Sequence, residues 1–135
     1  MSHEIDALIW KWRRCETEEE CSSAFKQILN YLADNWVLLV EWSQFEAWGK
    51  YYVSPDRRRC IYVAKNPRVD PIVRIVEEIE FNDPAELANR IWRDQKGVIP
   101  FRRIAEEIKR VFGVDVKISA ENAFIRMLFG EAADP

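Results

Sequence analysis

The sequence predicts an α+β fold: an antiparallel or mixed sheet of four to five strands, with two N-terminal helices and three C-terminal helices packed on it. Three observations carry that expectation. Apolar residues recur at helical spacing near both ends of the chain, each run opened by a capping residue. Between them, residues 36–63 are rich in β-branched and aromatic residues that alternate in strand fashion. A turn signature, Ser54-Pro55-Asp56-Arg57, divides that stretch into adjacent strands, so at least part of the sheet is antiparallel.

The first helix is expected over residues 4–14, with Ser2 as cap and Ile5, Leu8, Ile9 and Trp12 on one face. Thr17 and Glu20 form a capping box for the second helix, and Glu18 and Glu19 suit its positive end. Cys21, Ala24, Phe25, Ile28, Leu29 and Leu32 then make its apolar stripe. Residues 36–44 read as a strand, with Trp36, Leu38, Val40 and Trp42 on one face and Val37, Leu39 and Glu41 on the other. Both faces are apolar as far as Glu41, which predicts a central strand covered on both sides.

Residues 72–81 fit either a strand or a helix capped by Asp70, and their β-branched density favours the strand. If Glu77 faces inward there, it must be paired or protonated. Asp83, Pro84 and Glu86 open a helix with Leu87, Ala88, Ile91 and Trp92 inward and Gly97 as its stop. Pro100 opens another, with Phe101, Ile104, Ala105, Ile108, Val111 and Phe112 on one face, closed by Gly113. Val114, Val116 and Ile118 alternate as a short edge strand. Ser119 caps the last helix, with Ala123, Phe124, Met127 and Leu128 inward, and residues 131–135 form a frayed tail.

A length of 135 residues predicts a single domain, residues 1–135, large enough to bury a core without staples. No apolar run approaches the ~18–20 residues of a membrane span, and the first residues lack the basic and apolar regions of a secretory leader. Three cysteines, Cys15, Cys21 and Cys60, are odd in number and irregular in spacing. That predicts reduced thiols and a cytoplasmic protein, with a Cys15–Cys21 or Cys21–Cys60 bridge as the alternative.

Function is signalled most strongly at residues 48–68. Lys50, Arg57, Arg58, Arg59, Lys65 and Arg68 stand there against one acid, Asp56, a net charge of +5 in a chain of net charge −3. A three-residue loop pairs Ser54 with Arg58 and collects Tyr51, Val53, Ile61 and Val63 on one face. The other face then carries Lys50, Tyr52, Arg58, Cys60 and Tyr62, with Arg57 and Arg59 at the tip. Rings interleaved with cations can stack bases and neutralise phosphates together. The expected function is therefore non-enzymatic binding of DNA or RNA through Lys50, Tyr52, Arg57, Arg58, Arg59, Tyr62, Lys65 and Arg68. The alternative is a protein-interaction or subunit module, homodimeric or heteromeric, using the same surface; six tryptophans favour it.

Other chemistry is poorly supplied. His3 is the single histidine, the cysteines lack metal-binding spacing, and four glycines are scattered, so no cofactor or metal is expected. Glu41, Glu77, Glu78, Glu80 and Asp83 offer carboxylates for a magnesium-dependent nuclease, without a placed lysine or histidine beside them. A helix-turn-helix over residues 96–129 would place Glu121, Asn122 and Arg126 toward bases, but residues 113–118 are too long for its turn.

Overall fold

The structure, a computed structural model, describes residues 3–131. Its element order is α1 (His3–Arg13), α2 (Glu18–Asn35), β1 (Val37–Gln44), β2 (Ala47–Val53), β3 (Cys60–Asn66), β4 (Val73–Ile79), α3 (Pro84–Asp94), α4 (Phe101–Phe112) and α5 (Ala120–Phe129). This is the α+β class expected, with a four-stranded antiparallel sheet and five helices. The chain divides into two compact units, Met1–Glu78 and Ile79–Pro135.

In the first unit the strands lie in the order β1-β2-β3-β4. β1 is thus an edge strand, not the central strand its apolar content predicts. A bulge explains why both its sides look apolar. Leu38 pairs with Tyr52 and Val40 with Tyr51, so Leu39 is the extra residue and the alternation reverses across it. Helices α1 and α2 cover one sheet face, where Ile5, Ile9, Phe25, Ile28, Leu32 and Trp36 pack with Tyr52, Ile61 and Val63. Thr17 caps α2 by accepting the Glu20 N–H at 3.1 Å. The Ser2 cap expected for α1 lies outside the described residues.

Cys15 and Cys21 form a disulfide across the α1–α2 connection, correcting the expectation of three reduced thiols; Cys60 is free and buried. Residues 73–79 are a strand, as β-branched density predicts. Glu77 is exposed on it, so no buried carboxylate needs a partner. Instead Val76 packs against the core and the Arg74 side chain is buried beneath the Glu18 carboxylate at 2.6 Å. Arg74 holds the Glu18 carboxyl below its ordinary value, chiefly through that hydrogen bond.

In the second unit Asp83 caps α3 by accepting the Glu86 N–H at 2.9 Å, behind Pro84. Gly113 ends α4 in the left-handed region at φ 75°, where a Cβ would be strained. The core is Leu87, Ala88, Ile91 and Trp92 of α3 with Ile104 and Ile108 of α4. Residues 114–118 are irregular and make no strand. Their backbone is tied by side chains instead: Asn89 donates to the Lys117 carbonyl at 3.1 Å and accepts the Ser119 N–H at 2.8 Å. Glu131, expected to fray, is anchored. Its carboxylate accepts the Trp92 indole N–H at 2.7 Å and the Phe101 N–H at 3.1 Å, capping an α4 terminus that Pro100 cannot cap. The rest of the expected tail lies outside the described residues.

Candidate functional site

The basic hairpin exists as β2 and β3, and its tip contains the expected turn, with the Arg57 N–H donating to the Ser54 carbonyl at 2.9 Å. Its register differs from the expected one. Val53 pairs with Cys60, Tyr52 with Ile61, and Tyr51 with Tyr62. The Ser54 N–H donates to the Arg59 carbonyl at 2.9 Å, so Ser54 faces Arg59 rather than Arg58, across a four-residue loop.

The cause is a knot of short-range bonds. The Ser54 hydroxyl donates to the Asp56 carboxylate at 2.6 Å and accepts the Arg59 N–H at 2.9 Å. Asp56 also accepts the Arg58 N–H at 3.0 Å, and Arg57 turns left-handed at φ 64°. The Ser54 hydroxyl first, then the Arg58 amide, hold the Asp56 carboxyl below its ordinary value.

A one-residue slip exchanges every side chain between faces. The expected face of Lys50, Tyr52, Arg58, Cys60 and Tyr62 is therefore not assembled. Tyr52 packs in the core beneath α1 and α2, and burial, with Glu41 adding, raises its phenol pKa. Tyr62 lies on the opposite face, buried and stacked on Tyr51 with ring centroids 4.4 Å apart. Its hydroxyl accepts the Trp42 indole N–H at 3.0 Å. That bond passes over Gly49, where a Cβ would overlap both the indole nitrogen and the hydroxyl. Cys60 is buried on that same face, and burial, with Glu78 adding, pushes its thiol well above the ordinary range, so it is a poor nucleophile.

The cations divide into three groups. Arg59 is structural: it donates to Glu78 through Nε and Nη2, both at 2.8 Å, and to Asp6 at 2.8 Å. Glu78 first, with Asp6 adding to it against the burial cost, raises its pKa. Arg57 and Arg58 are exposed at the tip. Lys65 lies at the other end, about 17 Å from the Val53–Cys60 pair along five residue steps, with Arg68 just beyond it, while Lys50 stands mid-strand, three steps from that pair. Lys50 sits 5.4 Å from the Trp48 ring and Arg68 sits 5.8 Å from the exposed Phe45 ring. A shallow cleft at Arg68 is lined also by Trp42, Phe45 and Ala47, and Lys50 is not part of it. Glu41 pairs across from Lys50, and Glu46 is exposed in the adjoining turn, so acids dilute the positive charge.

Helix α5 gives a second correction. Asn122, not the apolar stripe, points inward and is 3% exposed. Its amide donates to the Asn89 carbonyl at 3.0 Å and to the Asn89 side chain at 3.1 Å. Two residues on, the helix has turned roughly 200°, so Phe124 points away. Phe124 is 59% exposed, Met127 83%, Leu128 59% and Phe129 83%. Glu121 pairs with Arg93 at 2.6 Å, and Arg126 lies 3.6 Å from Glu131. None of the three residues a helix-turn-helix would offer to bases is therefore left to read them. The missed signal was polar: Asn122 stands opposite the stripe, with a partner in Asn89 that no periodicity identifies.

Carboxylates do not gather. Glu41 lies on edge strand β1 and Glu77 and Glu78 on β4, at the other edge, and Glu78 is bound to Arg59. Among the described residues there is no group of three or more His, Cys, Asp or Glu placed to hold a metal ion. Among those residues, too, no helix is long and apolar enough to cross a membrane. No protein-family model, no curated protein and no solved structure matches this chain.

Proposed function

We propose that this protein is a non-enzymatic interaction or subunit module whose contact surface is the outward face of α5. The observation that supports it is the stripe of Phe124, Met127, Leu128 and Phe129, exposed on a helix whose one buried residue is the polar Asn122. With large side chains presenting up to about 200 Å² each, the four leave on the order of 500 Å² of apolar surface in water. Isolated exposed apolar residues are ordinary, but a patch of about that size marks a contact surface. Nucleic-acid binding has less support, because Tyr52 and Tyr62 are buried and Arg59 is held by two carboxylates.

The test is a photoreactive side chain placed at position 124 of the full chain, irradiated in the cells that make it. The expected result is a discrete protein adduct that disappears when Met127→Glu is added. Absence of any protein adduct overturns the reading. So does a salt-steep affinity for a single-stranded oligonucleotide, with a log–log slope of about −3 or steeper, that Lys50→Ala with Arg68→Ala removes.

A further inference from the structure

The contact face on α5 has a specific occupant. Resting on the interaction reading above, we infer that a second copy of this chain covers it, α5 against α5 across a two-fold axis.

The first argument is charge. A partner of a different kind is selected by complementary charges around an apolar centre. Here, among the described residues of α5, both charges beside the stripe are engaged within the chain, Glu121 with Arg93 and Arg126 with Glu131. Phe124, Met127 and Leu128, spaced i, i+3 and i+4, form a continuous surface with no charge among them. What such a surface fits is another uncharged helical stripe, and the nearest source of one is an identical chain. A two-fold axis makes one patch complementary to itself and closes the assembly at two copies. Antiparallel pairing also sets the positive end of each helix dipole beside the negative end of the other.

The second argument is area. About 500 Å² of apolar surface per chain is too small alone for a standard interface, which buries about 800 Å² on each side. It matches the apolar core of one, the remainder being a polar rim. The residues for that rim are already in place: Glu121 and Arg93 are exposed salt-bridge partners beside the stripe. Their pairing within each chain lets the rim close without leaving an unpaired charge.

Sedimentation of the full chain over a concentration series tests this. The expected species at high concentration has twice the 16.0 kDa chain mass, and added salt does not dissociate it. The Phe124→Glu/Met127→Glu double variant should weaken the dimer by about 30-fold or more, as loss of interface anchors does. Both positions are exposed, and an unchanged melting curve at low concentration shows that the variant folds. Phe45→Glu, an equally exposed ring in the other unit, should leave the dimer unchanged. A monomer at every concentration overturns the inference, as does a dimer that survives the double variant. If the photoreactive residue at position 124 labels a different protein while the chain sediments as a monomer, the second copy is wrong and the interaction reading stands.

Discussion

The hairpin of the first unit and the last helix of the second treat their aromatic residues in opposite ways. In β2 and β3, Tyr51, Tyr52 and Tyr62 are all buried, and the exposed groups lie beyond the strand ends: Asp56, Arg57 and Arg58 at the tip, Arg68 past the other end. In α5 the side chain at the centre of the buried side is an asparagine, and the large apolar groups face water. In neither element does hydrophobicity alone decide which side is covered. A few polar bonds do. At the hairpin tip, Ser54 and Asp56 lengthen the loop by one residue and so choose the register. On α5, the Asn89–Asn122 bonds choose the rotation of the helix. Burying an amide is tolerable only when it is bonded, so Asn122 must meet Asn89, and the stripe on the far side goes outward.

Truncating one ring in each region should separate the two most strongly. Tyr52→Ala should destabilise the fold by about 3–5 kcal/mol, as loss of a buried aromatic does. Phe124→Ala should change it by no more than about 0.5 kcal/mol, as exposed positions do. Both are read from urea unfolding at concentrations too low for self-association. Equal costs would mean that α5 is buried in solution and would remove the basis of the proposed contact surface.

Asn122→Ala comes next. It removes the amide donor that reaches the Asn89 carbonyl and side chain, and leaves those part-buried groups one bond short, at about 1–3 kcal/mol. It should also loosen α5, seen as faster amide exchange at Ala123–Phe129 than at Phe101–Phe112. If the variant is as stable as the parent and α5 exchanges no faster, the rotation of α5 has another cause.

How much of this was legible beforehand follows from where each signal resides. Helix ends are local, and Thr17, Asp83, Ser119 and Gly113 act as their residue types predict. The apolar stripes of α2, α3 and α4 point inward because each is wide and has no buried polar residue opposing it. The strand at 73–79 was legible in its β-branched residues. The bulge at Leu39 was not, because it appears only when β2 is aligned beside β1. Nor was the hairpin register, since loops of three and four residues each gather an apolar face, the four-residue one with Tyr51, Val53, Cys60 and Tyr62, and a hydroxyl bond breaks the tie. The candidate site suffered most. A three-residue loop would gather its residues on one face and the four-residue loop does not, while the α5 stripe has the spacing of a core face and lies in solvent.

The smallest effect probes that tie-breaking bond directly. Asp56 is solvent-exposed, yet its carboxyl is held below the ordinary value of 3.8 by the Ser54 hydroxyl and then the Arg58 amide. A carboxyl whose folded value lies below its unfolded value favours the folded state once it ionises. Its contribution is complete above the unfolded value and is lost as pH falls through the folded one. Ser54→Ala removes the larger cause. The Asp56 carboxyl, followed by its side-chain carbon resonance, should then titrate closer to 3.8, and the stability gap between parent and variant should shrink as pH drops below about 4. The register follows from the same bond. With Ser54 gone, the loop loses the hydroxyl that accepts the Arg59 N–H, and amide exchange at Arg59 should quicken. An Asp56 titration unmoved by Ser54→Ala would show that the four-residue loop is held by the backbone turn alone. The burial of Tyr52 would then have to be explained by packing beneath α1 and α2 instead of by the tip.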